Sequence, residues 1–252
     1  MSHVYWMEAK MELRKMARLK QYSLSTVCFP LMFYIFFGLA MAPTFRVAPI
    51  SISKYLLATY GAFGVMGATL YAFGAGVAVE RGLGWLEVKR ASPMPPGAYL
   101  LAKMAVSVAF GAAVVTLLFA LGAVFGEVRM PAGQWLLLWA ALVAGAVPFG
   151  AIGLAIGSLA GPNSGTGAVN MIYLPMGFLS GLWMPIEVLP KGLQQFAQFL
   201  PSYHFGQIAL KILGAPARGS VLLHVEALLG FGLVFAGVAW MAQSREHEKM
   251  YG

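Results

Sequence analysis

Charge is scarce in this chain: 10% of its residues are charged, against about 25% in an average soluble domain. With 60% hydrophobic residues and a mean hydropathy of +0.75, that scarcity excludes a soluble globule. Such a globule would have to hide several uncharged runs of about 20 residues in one small core. Cysteine is nearly missing as well. Cys28 stands alone in an apolar run, so the chain can form neither an internal disulfide nor a cysteine metal site. The four histidines (His3, His204, His224 and His247) make no HExxH or comparable ligand pattern, and no metal is expected. No lysine follows a glycine, which removes the GxxxxGK[ST] phosphate loop. Any ATP-driven work would need the nucleotide bound by another chain. The N-terminus lacks the pattern of a cleavable signal, because a charged segment precedes the first apolar run.

What is present is a series of apolar runs, each long enough at about 1.5 Å per residue to cross a hydrocarbon core of roughly 30 Å. They predict an all-α membrane protein, one transmembrane domain over residues 1–252 with six transmembrane helices at 24–42, 55–79, 104–125, 135–159, 165–183 and 221–242. Pro30 is expected to kink the first. Before it, Trp6, Leu13 and the methionines Met7, Met11 and Met16 recur at helical spacing among Lys10, Arg14, Lys15, Arg18 and Lys20. That pattern marks residues 1–22 as an amphipathic interface helix lying on membrane lipid.

Two segments between the runs carry structure of their own. Residues 80–100 read ERGLGWLEVKRASPMPPGAYL, a charged, Trp-bearing stretch closed by Pro93, Pro95 and Pro96. Charges stay out of lipid and prolines stop helices, so a short helix outside the bilayer is expected, held between spans two and three. In residues 184–219, Leu193, Phe196, Ala197 and Leu200 fall on one helical face and Gln194, Gln195 and Gln198 on the other. Pro185, Pro190 and Pro201 bracket this piece, and a second apolar piece follows over 205–213. Both are too short to span, which predicts a re-entrant or interfacial hairpin.

The net charge of +8 implies a sided membrane protein rather than a nucleic-acid binder. With the N-terminus inside, eleven basic residues fall on inner segments and six on outer ones. Both termini and the 80–100 loop are therefore expected in the cytoplasm of a cell (plasma or inner) membrane, and the 184–219 hairpin outside.

Few side chains could carry chemistry. Ser164 and His204 could suggest an intramembrane serine protease, but the expected topology puts them on opposite faces, beyond hydrogen-bond reach. No catalytic residue is expected. Asn170 in span five and Glu226 in span six are the polar intrusions that could line a substrate path. Gly153, Gly157 and Gly161 repeat along span four, and Gly177 with Gly181 in span five. Such small faces let helices approach, within the subunit or across a dimer. None of the runs carries a midplane carboxylate, which weighs against the alternative, an ATP-independent secondary transporter or channel.

The 80–100 segment resembles the cytoplasmic coupling helix of type-2 ABC exporter permeases. The family pattern, E-R then G-T-L-E and a proline-containing turn, is matched by Glu80, Arg81, Gly84, Leu86, Glu87 and Pro93, with Trp85 at the usual threonine. An S-G-x-x-x-P…L-P…L-P run recurs as Ser180, Gly181, Pro185, Leu189, Pro190, Leu200 and Pro201. The resemblance covers nearly the whole chain. It implies a non-enzymatic transport subunit, paired with a second permease copy or a related chain, exporting an amphipathic drug, lipid or glycan-type substrate. It further implies a separate cytoplasmic ABC ATP-binding subunit that holds ATP and magnesium. Trp85 and Leu86 would enter a groove on that subunit, with Glu80, Arg81 and Glu87 at the rim.

Overall fold

A computed structural model describes residues 2–41, 46–47, 50–95 and 97–251. The chain opens with α1 (Ser2–Arg18) and α2 (Lys20–Phe33), which runs on into a π-helical stretch at Tyr34–Ala40. Pro30 lies inside α2, packed on Gly64 of the next span, and the helix widens only four residues later. Residue 42, the expected end of the first span, and Pro96, an expected stop, lie outside the described residues. A minimal antiparallel pair, β1 (Arg46–Val47) and β2 (Ile50–Ser51), leads to α3 (Ile52–Leu70). Ser51 caps α3, its hydroxyl accepting from the Lys54 N–H at 3.2 Å.

From α3 the chain continues through a π turn (Tyr71–Ala75) into α4 (Gly76–Gly82), giving one apolar rod over Ile52–Gly82. The short helix α5 (Trp85–Ala91) follows, then α6 (Ala98–Val124). The long fourth rod is α7 (Ala132–Ala144) and α8 (Ala146–Leu159), broken at Gly145, where the Phe205 ring fills the space a side chain would need. Next come α9 (Gly165–Leu179), a 3-10 turn at Ile186–Val188, α10 (Lys191–Ala197), α11 (Pro201–Ile212) and α12 (Val221–Tyr251).

Among the described residues, five helices are long and apolar enough to cross a membrane: Tyr22–Ala40, Ile52–Gly82, Ala98–Val124, Ala132–Leu159 and Val221–Ser244. The expected fifth run stops short. α9 has 15 residues, about 22 Å, and ends at Leu179 because Gly181 turns the chain at φ +81°. Two helices begin before the apolar runs they carry: α3 starts at Ile52 and α6 at Ala98, which places Lys103 within a helix.

The Ile52–Gly82 rod is the centre of the fold. Its most apolar window is 83% buried within the chain, against 33% for α6 and 11% for α12. Close approach of α8 makes this possible. A Cβ on Gly157 would lie 2.6 Å from the Phe73 carbonyl oxygen and 2.8 Å from that of Gly74, while one on Gly153 would lie 2.8 Å from Phe73 Cβ. Gly177 packs likewise on the Phe63 ring, whereas at Gly161 a Cβ would meet only Ser164 Oγ, at 3.4 Å. Backbone cannot yield as a side chain can, so Gly157→Ala should destabilise the protein by about 1–3 kcal/mol. Gly161→Ala should leave the unfolding temperature in detergent within about a degree of wild type. Equal melting of the two variants would show that α8 does not sit against the rod this closely.

Candidate functional site

Within the 80–100 segment, Trp85–Ala91 forms a seven-residue helix apart from the long rods. Left-handed glycines bound it: Gly84 at φ +72° ends α4 and starts α5, and Gly97 at φ +80° starts α6. One surface of this elbow is apolar and open, with Leu83 64%, Trp85 49% and Val88 70% exposed. Glu87 is exposed beside them. Leu86 turns the other way, half-buried, into a cavity of about 230 Å³ that it shares with Lys89, Met94, Tyr99, Leu154 and Gln243. Leu83 and Val88 therefore join Trp85 on the open face, where Leu86 was expected.

Glu80 and Arg81 do not form a rim. Glu80 is buried and accepts from Lys103 Nζ at 2.8 Å, from Tyr99 Oη at 2.6 Å and from Lys15 Nζ. Lys103, fully buried, also reaches Glu12 at 2.6 Å, and Lys15 lies 2.7 Å from Glu12. Two carboxylates and two ammonium groups thus balance in one cluster that pins α1, α4 and α6 together. Gly76 leaves the room Lys103 needs, since a Cβ there would stand 3.0 Å from Nζ. At Lys15, burial opposes the charge but Glu80 and Glu12 outweigh it, so its pKa rises above the ordinary lysine value. A second pair, Lys89 to Glu8 at 2.6 Å, fastens α5 itself to α1. Arg81 donates to the carbonyl oxygens of Ser158 and, at 2.8 Å, Ala160, closing the end of α8.

These partners lie up to 91 residues apart in sequence, as Lys103 and Glu12 do, and no local spacing announces them. The available signal was a charge abutting an apolar run: Lys103 one residue before the expected third span, Glu80 one residue after the second.

Beside the cluster lies a cavity of about 530 Å³ between α1, the start of α2, the π turn, α4 and α9. Lys15, Glu80 and Trp85 line one part, and Tyr22, Tyr71 and Asn170 another. Asn170 accepts a hydrogen bond from Tyr71. Thr26, also on the wall, buries a hydroxyl that has no protein partner in the structure. Asn170 is thus brought to the cavity, while Glu226 lies exposed on α12 and lines neither cavity. Ser164 and His204 are not brought together: Ser164 Oγ donates to Gly161 O at 3.1 Å, and His204 is held by Gln198 and His224.

The 184–219 segment carries two short helices, α10 and α11. Pro190 precedes α10 and Pro201 opens α11, positions where a missing N–H costs nothing. Of the face expected to be buried, Ala197 is buried and Leu193 and Leu200 are half-buried, but Phe196 is exposed. The turn before it is fixed to the central rod by Tyr55 and Tyr60, whose hydroxyls donate to the carbonyls of Gly181 and Trp183, each at 3.1 Å.

Residues 4–213 match the ABC-2 type transporter family. The chain is also 29% identical over 225 residues, 88% of this chain and 91% of the relative, to a Bacillus subtilis (strain 168) protein named "Putative transport permease YvfS". Members of that family are the membrane-spanning transport components of ABC transporters, working with an ABC ATP-binding partner. The several apolar rods, the elbow helix and the match over residues 4–213 agree: this multi-pass membrane chain belongs to the ABC-2 type transporter family.

Proposed function

We propose that this chain is the permease half of an ATP-driven exporter. A cytoplasmic ATPase subunit, which binds the ATP and Mg²⁺, docks on the open face of α5. The observation that carries the reading is the mounting of that face. Leu83, Trp85 and Val88 are exposed, while directly behind them a buried, charge-balanced cluster fastens α1, α4 and α6 together. Apolar anchors rimmed by a charge such as Glu87 suit a groove on a protein partner. A push on α5 then reaches the π turn and the larger cavity through α4.

In this reading the chain crosses the membrane six times, with α9 and the turn after it completing the fifth crossing. The basic-residue bias supports both termini, α1 and α5 in the cytoplasm of the plasma or inner membrane, with the α10–α11 hairpin outside at the exit. The exposed Trp6, Met7 and Met11 of α1 support its lying on lipid. Two copies, or two related permeases, enclose the path. Asn170 and Tyr71 then face an amphipathic drug, lipid or glycan-type substrate. The mainly apolar cavity, whose charged groups neutralise one another, supports a ligand without a fixed charge.

The test is transport in inside-out vesicles holding this chain and its ATPase. Vanadate-sensitive, ATP-dependent accumulation of an amphipathic dye is expected, with none driven by a proton or sodium gradient alone. Uptake driven by an ion gradient without ATP would assign the chain to secondary transport instead.

A further inference from the structure

Two buried histidines meet where α11 packs on α12. His204 Nδ1 lies 2.9 Å from His224 Nδ1. The outer ring nitrogens are both taken by backbone carbonyls: His204 Nε2 by Gln198 O at 3.0 Å, His224 Nε2 by Arg218 O at 2.6 Å. A carbonyl oxygen only accepts, so each Nε2 carries a proton. The Nδ1–Nδ1 contact needs one more, because two lone pairs at that separation repel. The four ring nitrogens therefore hold three protons, and the pair bears a single positive charge. We propose that His204 and His224 form a one-proton binding site that latches the α10–α11 hairpin to the first turn of α12.

The contacts fall on four separate pieces of chain. Gln198 ends α10, His204 is on α11, Arg218 is in the loop after it, and His224 is on α12. Around the pair, the Arg218 guanidinium is turned to Gln194 Oε1 at 3.0 Å, and its backbone N–H donates to Gln207. Lys211 Nζ reaches Ala217 O. The Tyr203 ring touches both imidazoles, with Glu187 acting on Tyr203 from the 3-10 turn, and Phe231 covers His204. Glu226, exposed on α12, and every other described carboxylate make no hydrogen bond to either ring. Among the described residues, the hydrogen bonds to the single charge are thus those of the two carbonyls and the ring–ring contact.

This count makes the latch strongest at intermediate pH. Raising the pH removes the third proton and leaves two facing lone pairs. Lowering it adds a fourth and sets two imidazolium ions against each other. The linkage signs agree: above the window the latched state holds more protons than two free histidines, and below it fewer, so stability falls on both sides. Burial lowers the His204 pKa from the ordinary imidazole value, with the His224 charge adding to it against the Gln198 carbonyl, which extends the single-charge window toward acid.

The test uses the full chain with His3 and His247 replaced by Gln, so that only the pair remains. ¹⁵N-imidazole spectra near pH 6 should count three protonated nitrogens, two at alkaline pH. Amide exchange over 213–224, corrected for intrinsic rates, should be slowest in the same window, by about tenfold, as expected for one charge-assisted hydrogen bond. His224→Gln keeps a donor for the Arg218 carbonyl and should flatten the profile. Two or four protons throughout, a monotonic profile, or a bell surviving His224→Gln would overturn the site. Loss of the profile on adding EDTA would do so too, assigning the gap to a metal ion. A proton-controlled exit gate rests on the exporter reading; these measurements count protons and read exchange, and do not depend on transport.

Discussion

Lys103→Met should lower stability by about 3–5 kcal/mol, the largest single-residue effect expected here. Lys103 is fully buried and shared between Glu80 and Glu12. Without it, two buried carboxylates compete for Lys15 alone, and removing one partner of a buried ion pair costs far more than the pair itself contributes. The variant should express poorly and melt early in detergent. Adding Glu12→Gln restores the one-to-one balance of Lys15 with Glu80 and should recover roughly half of the loss, a coupling that the double-mutant cycle measures directly. Lys89→Met serves as the contrast. Its pair with Glu8 is partly open to water on both sides, so at most about 1 kcal/mol is expected. A Lys103→Met protein as stable as wild type would mean that the cluster is not a buried ionic junction.

Trp85→Ala should weaken the complex with the ATPase subunit about 30-fold, corresponding to roughly 2 kcal/mol, the usual scale for a large aromatic anchor. The substitution leaves the cluster behind α5 in place, so the melting temperature of the isolated chain should stay near wild type. That combination, lost binding with kept stability, separates docking from folding. Glu87→Gln, at the exposed edge, should change affinity only a few-fold and chiefly its salt dependence. Titration of labelled ATPase onto the purified permease would read all of this. Undiminished affinity in the Trp85→Ala chain would remove α5 as the docking element.

Much of the architecture was legible because its signals are local. The prolines and charges between two apolar runs announce α5, and Pro190 and Pro201 announce the hairpin helices. The direction of each side chain was not legible where it depends on distant chain. Glu80 reads like a surface charge until Lys15 and Lys103 arrive from elsewhere to neutralise it. Leu86 and Val88 are equally apolar, and only the cavity that Tyr99 and Leu154 bound shows which of them turns inward. The central role of residues 52–82 was hidden for another reason. A rod apolar on every side has no amphipathic face, so periodicity cannot tell one ringed by protein from one ringed by lipid. The break at Gly145 sits in an unbroken apolar stretch, and only the incoming Phe205 ring marks it. The early end of α9 was signalled by Gly181, which read equally well as part of a small-residue stripe.

The contrast between the 83% buried central rod and the 11% buried α12 separates two demands that are usually met together. Lipid asks a side chain only to be apolar, and many residues of any volume satisfy it. Packed protein asks for apolarity and shape at once. On the proposed membrane placement, the exposed faces of α12 can exchange one apolar residue for another, while its face on α8, its His224 turn and the whole of α3 are confined to the residues their neighbours admit. Sequence constraint should accordingly be weakest on the exposed faces of α12 and strongest along the central rod.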